Sequence, residues 1–183
     1  MAHKGYLVGN RVIIPDIEAS KDIYSKGFFG KPIGINKPKS VEDIKTPLEL
    51  SLIEGLYLIR KKILEVYNLE EKLILEDEFF KYAKAHIENF ELLYIVYEDL
   101  RNKGFVVRSG LKYGADFSVY TIGPGIEHAP YLVIVVNSEE PIKPNLITGF
   151  GRVSHSTRKS LVIAFVNPKT RLIRYTIFKW VKM

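Results

Sequence analysis

The hydrophobic pattern of this chain switches from helical to strand period at Gly104, and that change limits most of what its second half can become. Before it, Phe90, Leu93, Val96 and Leu100 recur at helical spacing, predicting a helix over about 88–103 with Gly104 as its stop signal, preceded by another over about 77–86. After it come five short runs rich in β-branched and aromatic residues: Phe105–Arg108, Phe117–Tyr120, Tyr131–Val136, Leu161–Val166 and Leu172–Trp180. A mostly helical insertion, about Asn145–Ser156, separates the third run from the fourth. Helices followed by strands with a helical interruption predict an α/β unit, a mixed central sheet with helices packed on it.

The first part of the chain reads differently. Two β-rich runs in residues 5–14 flank Gly9-Asn10, a pair suited to a two-residue hairpin turn, and Pro15-Asp16 closes the second. Residues 24–39 are rich in Gly, Pro and Lys and predict a loop, with a short strand around Ile33–Ile35. Thr46-Pro47-Leu48-Glu49 has the form of a helix start: a capping Thr, Pro at the first position and Glu closing a capping box. Leu52, Leu56, Ile59, Ile63 and Val66 then form one stripe, so a helix of about 20 residues is expected. Gly55 within it implies close packing against a neighbour. The Glu/Lys/Leu segment Leu69–Leu75 marks the seam. The expected organisation is α/β (α+β): a small mixed domain over 1–75 and a second α/β domain over 76–183.

Composition narrows the class. No apolar run approaches the ~20 residues needed to span a bilayer, and Met-Ala-His-Lys-Gly-Tyr has no apolar leader core. Cysteine is absent, which excludes disulfides and thiolate metal sites and fits a cytoplasmic protein. The net charge of +6 and a pI near 9.3 favour a polyanionic partner, although a basic protein without one has the same balance.

Several chemistries lack their residues. Gly123-Pro124-Gly125 does not open a phosphate-binding helix, and His3, His86, His128 and His155 show no metal-ligand spacing. No carboxylate cluster of the kind that holds Mg²⁺ is present, so the expectation is hydrolytic chemistry without metal or other cofactor. RNA supplies its own nucleophile, the 2′-OH. Its cleavage then needs a base, an acid for the departing 5′ oxygen and a cation for the charge building on phosphorus. Tyr120, His128 and Lys159 can divide these tasks. Histidine titrates near neutrality, whereas tyrosine, with its intrinsic pKa near ~10, is a poor base unless cations surround it. Each residue also has a plain structural alternative: a strand-end Tyr at a core rim, a solvated loop His, a surface Lys.

The blocks Lys112-Tyr-Gly-Ala-Asp-Phe-Ser-Val-Tyr120, Glu127-His-Ala-Pro-Tyr-Leu-Val133 and Arg152-Val-Ser-His-Ser-Thr-Arg-Lys159 resemble the archaeal tRNA-intron (splicing) endonuclease family, most closely over the C-terminal half. The resemblance implies an endonuclease-like C-terminal domain. It also implies cleavage of precursor tRNA at a bulge-helix-bulge without metal, leaving a 2′,3′-cyclic phosphate and a 5′-OH. It assigns the base to Tyr120, the acid to His128 and transition-state stabilisation to Lys159. It further implies that Arg152 and Arg174 sandwich a bulge base; a solvent-facing strand residue is the alternative for Arg174.

The family also assembles, as a homotetramer or with a paralogous non-catalytic subunit, through C-terminal strands and an acidic loop. Asn137–Pro141, with Glu139 and Glu140, fits that loop, or an ordinary solvated turn. The apolar run Arg174–Val181, with Trp180, fits a paired edge. His155 is expected to be a helix-end structural residue, and Tyr113 and Asp116 to shape the turn before Tyr120. The loop from Tyr120 to His128 departs from the family in being short and lacking a basic residue, which bears on substrate range. A non-catalytic RNA-binding subunit and a metal-dependent nuclease are the competing readings; the first has no need of a filled trio, the second needs carboxylates.

Overall fold

A left-handed Gly9, φ 53°, and Asn10 turn the first hairpin, between β1 (His3–Val8) and β2 (Arg11–Ile14), as the Gly-Asn pair predicts. This computed structural model describes residues 2–36, 38, 40–142, 144, 149, 152 and 159–178, in two compact units, Met1–Phe90 and Glu91–Met183.

In the first unit β2 leads into α1 (Ile17–Ser25), whose N-terminus is capped by Asp16 accepting from Ala19 N at 2.6 Å. β3 (Lys31–Pro32), β4 (Leu48–Ser51), α2 (Leu52–Arg60), β5 (Leu64–Tyr67), β6 (Leu73–Ile74) and α3 (Glu76–His86) follow. The sheet order is β3-β4-β2-β1-β5-β6, with β1 and β5 parallel and the other pairs antiparallel.

The helix expected from Thr46 is therefore shorter and starts later. Leu48 and Leu50 are buried while Glu49 and Ser51 are half-buried, a period of two, and all four pair with β2. The working capping box is Ser51-x-x-Glu54: Ser51 Oγ accepts from Glu54 N at 3.3 Å, and Glu54 Oε2 accepts from Ser51 N at 2.9 Å. Thr46 instead donates its hydroxyl to Ile33 O at 2.8 Å, and a left-handed Lys62, φ 58°, ends the run, so that Val66 lies in β5. The strand expected around Ile33–Ile35 sits at Lys31–Pro32. Gly55 does mark a close approach, since a Cβ there would lie 3.0 Å from the Phe79 ring and 3.2 Å from Val12. The expected seam at 75/76 falls at the first turn of α3, which packs on α2.

The second unit contains α4 (Phe90–Asn102, its first residue on the dividing line), β7 (Val106–Ser109), β8 (Phe117–Tyr120), β9 (Tyr131–Asn137), β10 (Ser160–Val166) and β11 (Ile173–Phe178). The order β11-β10-β9-β8-β7, with only β9 and β10 parallel, makes the mixed α/β sheet that the pattern predicts. One face carries α4: the Tyr97 and Phe117 rings lie 5.9 Å apart, and Tyr175 donates to Asp99 at 2.6 Å. The opposite face carries a core of Ala115, Leu132, Leu161 and Ile163, with Tyr113, Ile134, Val136 and Phe165 against it.

Of the expected insertion at 145–156, residues 149 and 152 have helical backbone; the remainder, His155 included, lies outside the described residues, as do Trp180 and Val181. Among the described residues no helix is long and apolar enough to cross a membrane.

Candidate active site

The register of the sheet sets the site. Val119 lies opposite Tyr131, and Tyr131 opposite Ser160. One residue further, Tyr120, Pro130 and Lys159 form a row across three neighbouring strand ends, tied by Ser160 N donating to Pro130 O at 3.1 Å. With strands ~4.8 Å apart, the Cα atoms of Tyr120 and Lys159 are about 10 Å apart, and row partners share a face. Both side chains therefore leave the sheet on the side away from α4.

Lys159 is half-buried, and its ammonium donates to the Ala129 carbonyl at 2.6 Å. Ala129 is buried and directly follows His128, which is exposed. The cation is thus anchored one residue from the histidine. Its Nζ also lies 5.3 Å from the centre of the Tyr113 ring. From the other side of the sequence, Lys112 Nζ lies 4.7 Å from the same ring. A hydrogen bond with the Tyr113 hydroxyl is the main cause holding the Lys112 ammonium above the ordinary lysine range, with weaker attraction to Tyr113 and, last, Tyr120. Two ammonium groups consequently lie against the one Tyr113 ring.

The turn that delivers these groups has a local cause. Gly110 N donates to Asp116 O at 3.0 Å, and a Cβ at Gly110 would lie 2.7 Å from the Phe117 carbonyl carbon and 2.8 Å from Ala115 O. Only glycine fits where residues 110–116 fold back on the start of β8. A single 3-10 turn, Leu111–Tyr113, then ends at a left-handed Gly114, φ 73°. Asp116 does more than shape this turn, because its carboxylate accepts from Val135 N at 2.7 Å and extends the pairing of β8 with β9. Burial raises its pKa against the opposite pull of that bond.

The two arginines stand apart from this cluster. Arg152 is exposed on helical backbone. Arg174 is exposed on β11 opposite Phe165, six residues beyond Lys159 along β10; at ~3.3 Å per residue that is about 20 Å. Within one chain Tyr120 and Lys159 stand at one end of the sheet, with His128 two residues before Pro130 in the chain, and Arg174 stands near the other end. In the acidic turn, Glu139 pairs with Lys169 at 3.3 Å and Glu140 accepts from Asn137 at 3.0 Å. Among the described residues no three of His, Asp and Glu gather where they could hold a metal ion.

Of the three residues proposed from sequence, Tyr120 ends β8, Lys159 directly precedes β10, and His128 lies in the loop before β9. Sequence reasoning did not find that Tyr113 and Lys112 pack among them, since nothing in the Lys-Tyr-Gly spacing shows which way a 3-10 turn presents its side chains.

Comparison with known proteins agrees with this architecture. Residues 90–175 match the tRNA intron endonuclease catalytic C-terminal domain, and residues 3–80 match the N-terminal domain of the same enzymes. The chain belongs to the tRNA intron endonuclease family. It is 58% identical to the tRNA-splicing endonuclease of Sulfolobus acidocaldarius over 180 residues, covering 98% of this chain and 99% of the relative. The tRNA-splicing endonucleases of Saccharolobus solfataricus and Saccharolobus islandicus are 56% and 54% identical over the same shares of each chain.

Proposed function

We propose that this chain is a catalytic tRNA-splicing endonuclease subunit that cuts precursor tRNA at the bulge-helix-bulge by transesterification, without metal, in the cytoplasm. The observation that carries the reading is the Tyr120–Pro130–Lys159 row, with Lys159 anchored on the carbonyl next to His128. In this reading Tyr120 takes the 2′-OH proton, the 2′ oxygen attacks the adjacent phosphorus, and His128 protonates the leaving 5′ oxygen. Lys159 stabilises the charge on the phosphorane, and Lys112 adds positive charge beside the phenol. The products are a 2′,3′-cyclic phosphate and a 5′-OH.

Arg152 and Arg174 are proposed to grip unpaired bases. The distance of Arg174 along β11 assigns it to RNA away from the scissile phosphate held at its own chain's Lys159. Chemistry is assigned to the C-terminal domain, 76–183 as read from sequence, and assembly to a homo-oligomer or to pairing with a non-catalytic paralogue.

The test is cleavage of an intron-containing precursor tRNA in EDTA by the purified chain and by His128→Ala. Wild-type cleavage to cyclic-phosphate ends, lost in the variant, is the expected result. Dependence on added Mg²⁺ would overturn the metal-independent route. Activity that appears only with an active paralogue, and survives His128→Ala, would make this chain the silent partner.

A further inference from the structure

The loop between Tyr120 and His128 leaves its two large aliphatic side chains in solvent. Ile122 and Ile126 are each 60 % exposed, and Gly123 and Gly125 adopt φ of 156° and 88°. One side chain ties it back to the end of β8. Glu127 Oε1 accepts from the Ile122 backbone N–H at 2.6 Å, and the Thr121 hydroxyl lies 3.0 and 2.9 Å from the two carboxylate oxygens. Glu127 N and Ile126 N both donate to Gly123 O, at 3.2 and 3.3 Å, which closes the turn beneath the carboxylate.

The positions of these partners matter. Thr121 and Ile122 are the two residues that follow Tyr120, and Glu127 is the residue that precedes His128. The carboxylate therefore ties the strand end that carries one group to the backbone that carries the other. A carboxylate facing an RNA phosphate would repel it. Here the charge is turned into its own loop, where the Ile122 N–H, first, and then the Thr121 hydroxyl hold the carboxyl pKa below its ordinary value.

We infer that Glu127 is a positioning residue for cleavage: without touching the reacting atoms, it fixes His128 relative to Tyr120 by clamping the loop between them. This rests on the proposed function above. A small misplacement of an acid relative to its base is costly in rate and leaves RNA binding, proposed to rest on Arg152 and Arg174, largely alone.

The experiment uses the full chain with Glu127→Ala and Glu127→Gln. It reads kcat and KM for precursor tRNA cleavage and the hydrogen exchange of the Ile122 amide. Glu127→Ala is expected to lower kcat at least tenfold with KM within twofold, and to speed Ile122 exchange at least tenfold. Glu127→Gln keeps one oxygen for the Ile122 N–H and is expected to recover most of kcat, a rescue that general destabilisation would not give. Unchanged kcat, or a loss confined to KM, would overturn the inference. If the wild type cleaves no precursor tRNA, the functional reading fails by itself; Ile122 exchange still judges the clamp, and unaltered exchange in Glu127→Ala would overturn it.

Discussion

The Lys159 ammonium lies 5.3 Å from the centre of the Tyr113 ring while donating to the Ala129 carbonyl at 2.6 Å. A ring and a carbonyl on different segments thus fix its direction. Cation–π contacts contribute about 0.5–2 kcal/mol. Tyr113→Leu is therefore expected to slow single-turnover cleavage by about tenfold, a loss of ~1.4 kcal/mol of transition-state stabilisation. Tyr113→Phe keeps the ring and is expected to fall between Leu and wild type; equal rates for Phe and Leu would deny the ring its role.

Lys112 is held above the ordinary lysine range chiefly by the Tyr113 hydroxyl and, more weakly, by Tyr120. In the proposed reaction its charge adds to the cationic surroundings of the site. Lys112→Met is expected to lower kcat on the order of tenfold, the scale of a modest acid–base or electrostatic contribution. Lys112→Arg keeps the charge and is expected to retain most of the rate. Cleavage kinetics at one salt concentration compare the pair.

Asp116 gives a pH-dependent test. Burial raises its carboxyl pKa, so the folded state binds that proton more tightly than the unfolded chain. The group's stabilising contribution is then fully present below the unfolded carboxylate range and is lost as pH rises through the folded value. Asp116→Asn keeps an acceptor for Val135 N without the buried charge. Its melting temperature relative to wild type is expected to be higher at pH 7 than at pH 3.5. Asp116→Ala orphans the Val135 N–H and is expected to cost about 1–3 kcal/mol at either pH. Thermal melts of the three proteins at both pH values make the comparison.

The start of α2 separates two candidate caps. Ser51→Ala removes a cap and half of a capping box, which costs about 0.5–2 kcal/mol. Thr46→Ala removes one exposed bond to Ile33 O and is expected to cost about 0.5 kcal/mol. Denaturant titration ranks them; the reverse order would move the helix start back to Thr46.

How far the fold could be read from the residues depended on burial. Phe117–Tyr120 is expected and observed with the same bounds, and β9 and β10 differ from expectation by one residue, because these runs are short, buried or half-buried throughout and rich in β-branched and aromatic residues. The capping signal read at Thr46 is overridden, since sequence could not see that β2 offers Leu48–Ser51 a ladder that outweighs an earlier helix start. The helix Ile17–Ser25 had no counterpart among the expectations, its buried face amounting to Ser20, Ile23 and Tyr24. At the site, Tyr120, His128 and Lys159 stand out through the blocks that carry them. The Tyr113–Lys159 contact and the Glu127 bonds arise from turns whose direction no local pattern records.

Lys159 enters a strand that runs parallel to β9, and it comes 31 residues after His128 and 39 after Tyr120 in the chain. A parallel neighbour cannot be reached by a tight turn, so this pairing waits on a long crossover and is among the slower contacts to close. During synthesis, then, a chain already long enough to fold its first unit still lacks the proposed cutting site. Under the proposed function, the groups that cut RNA come together only when β10 docks beside β9.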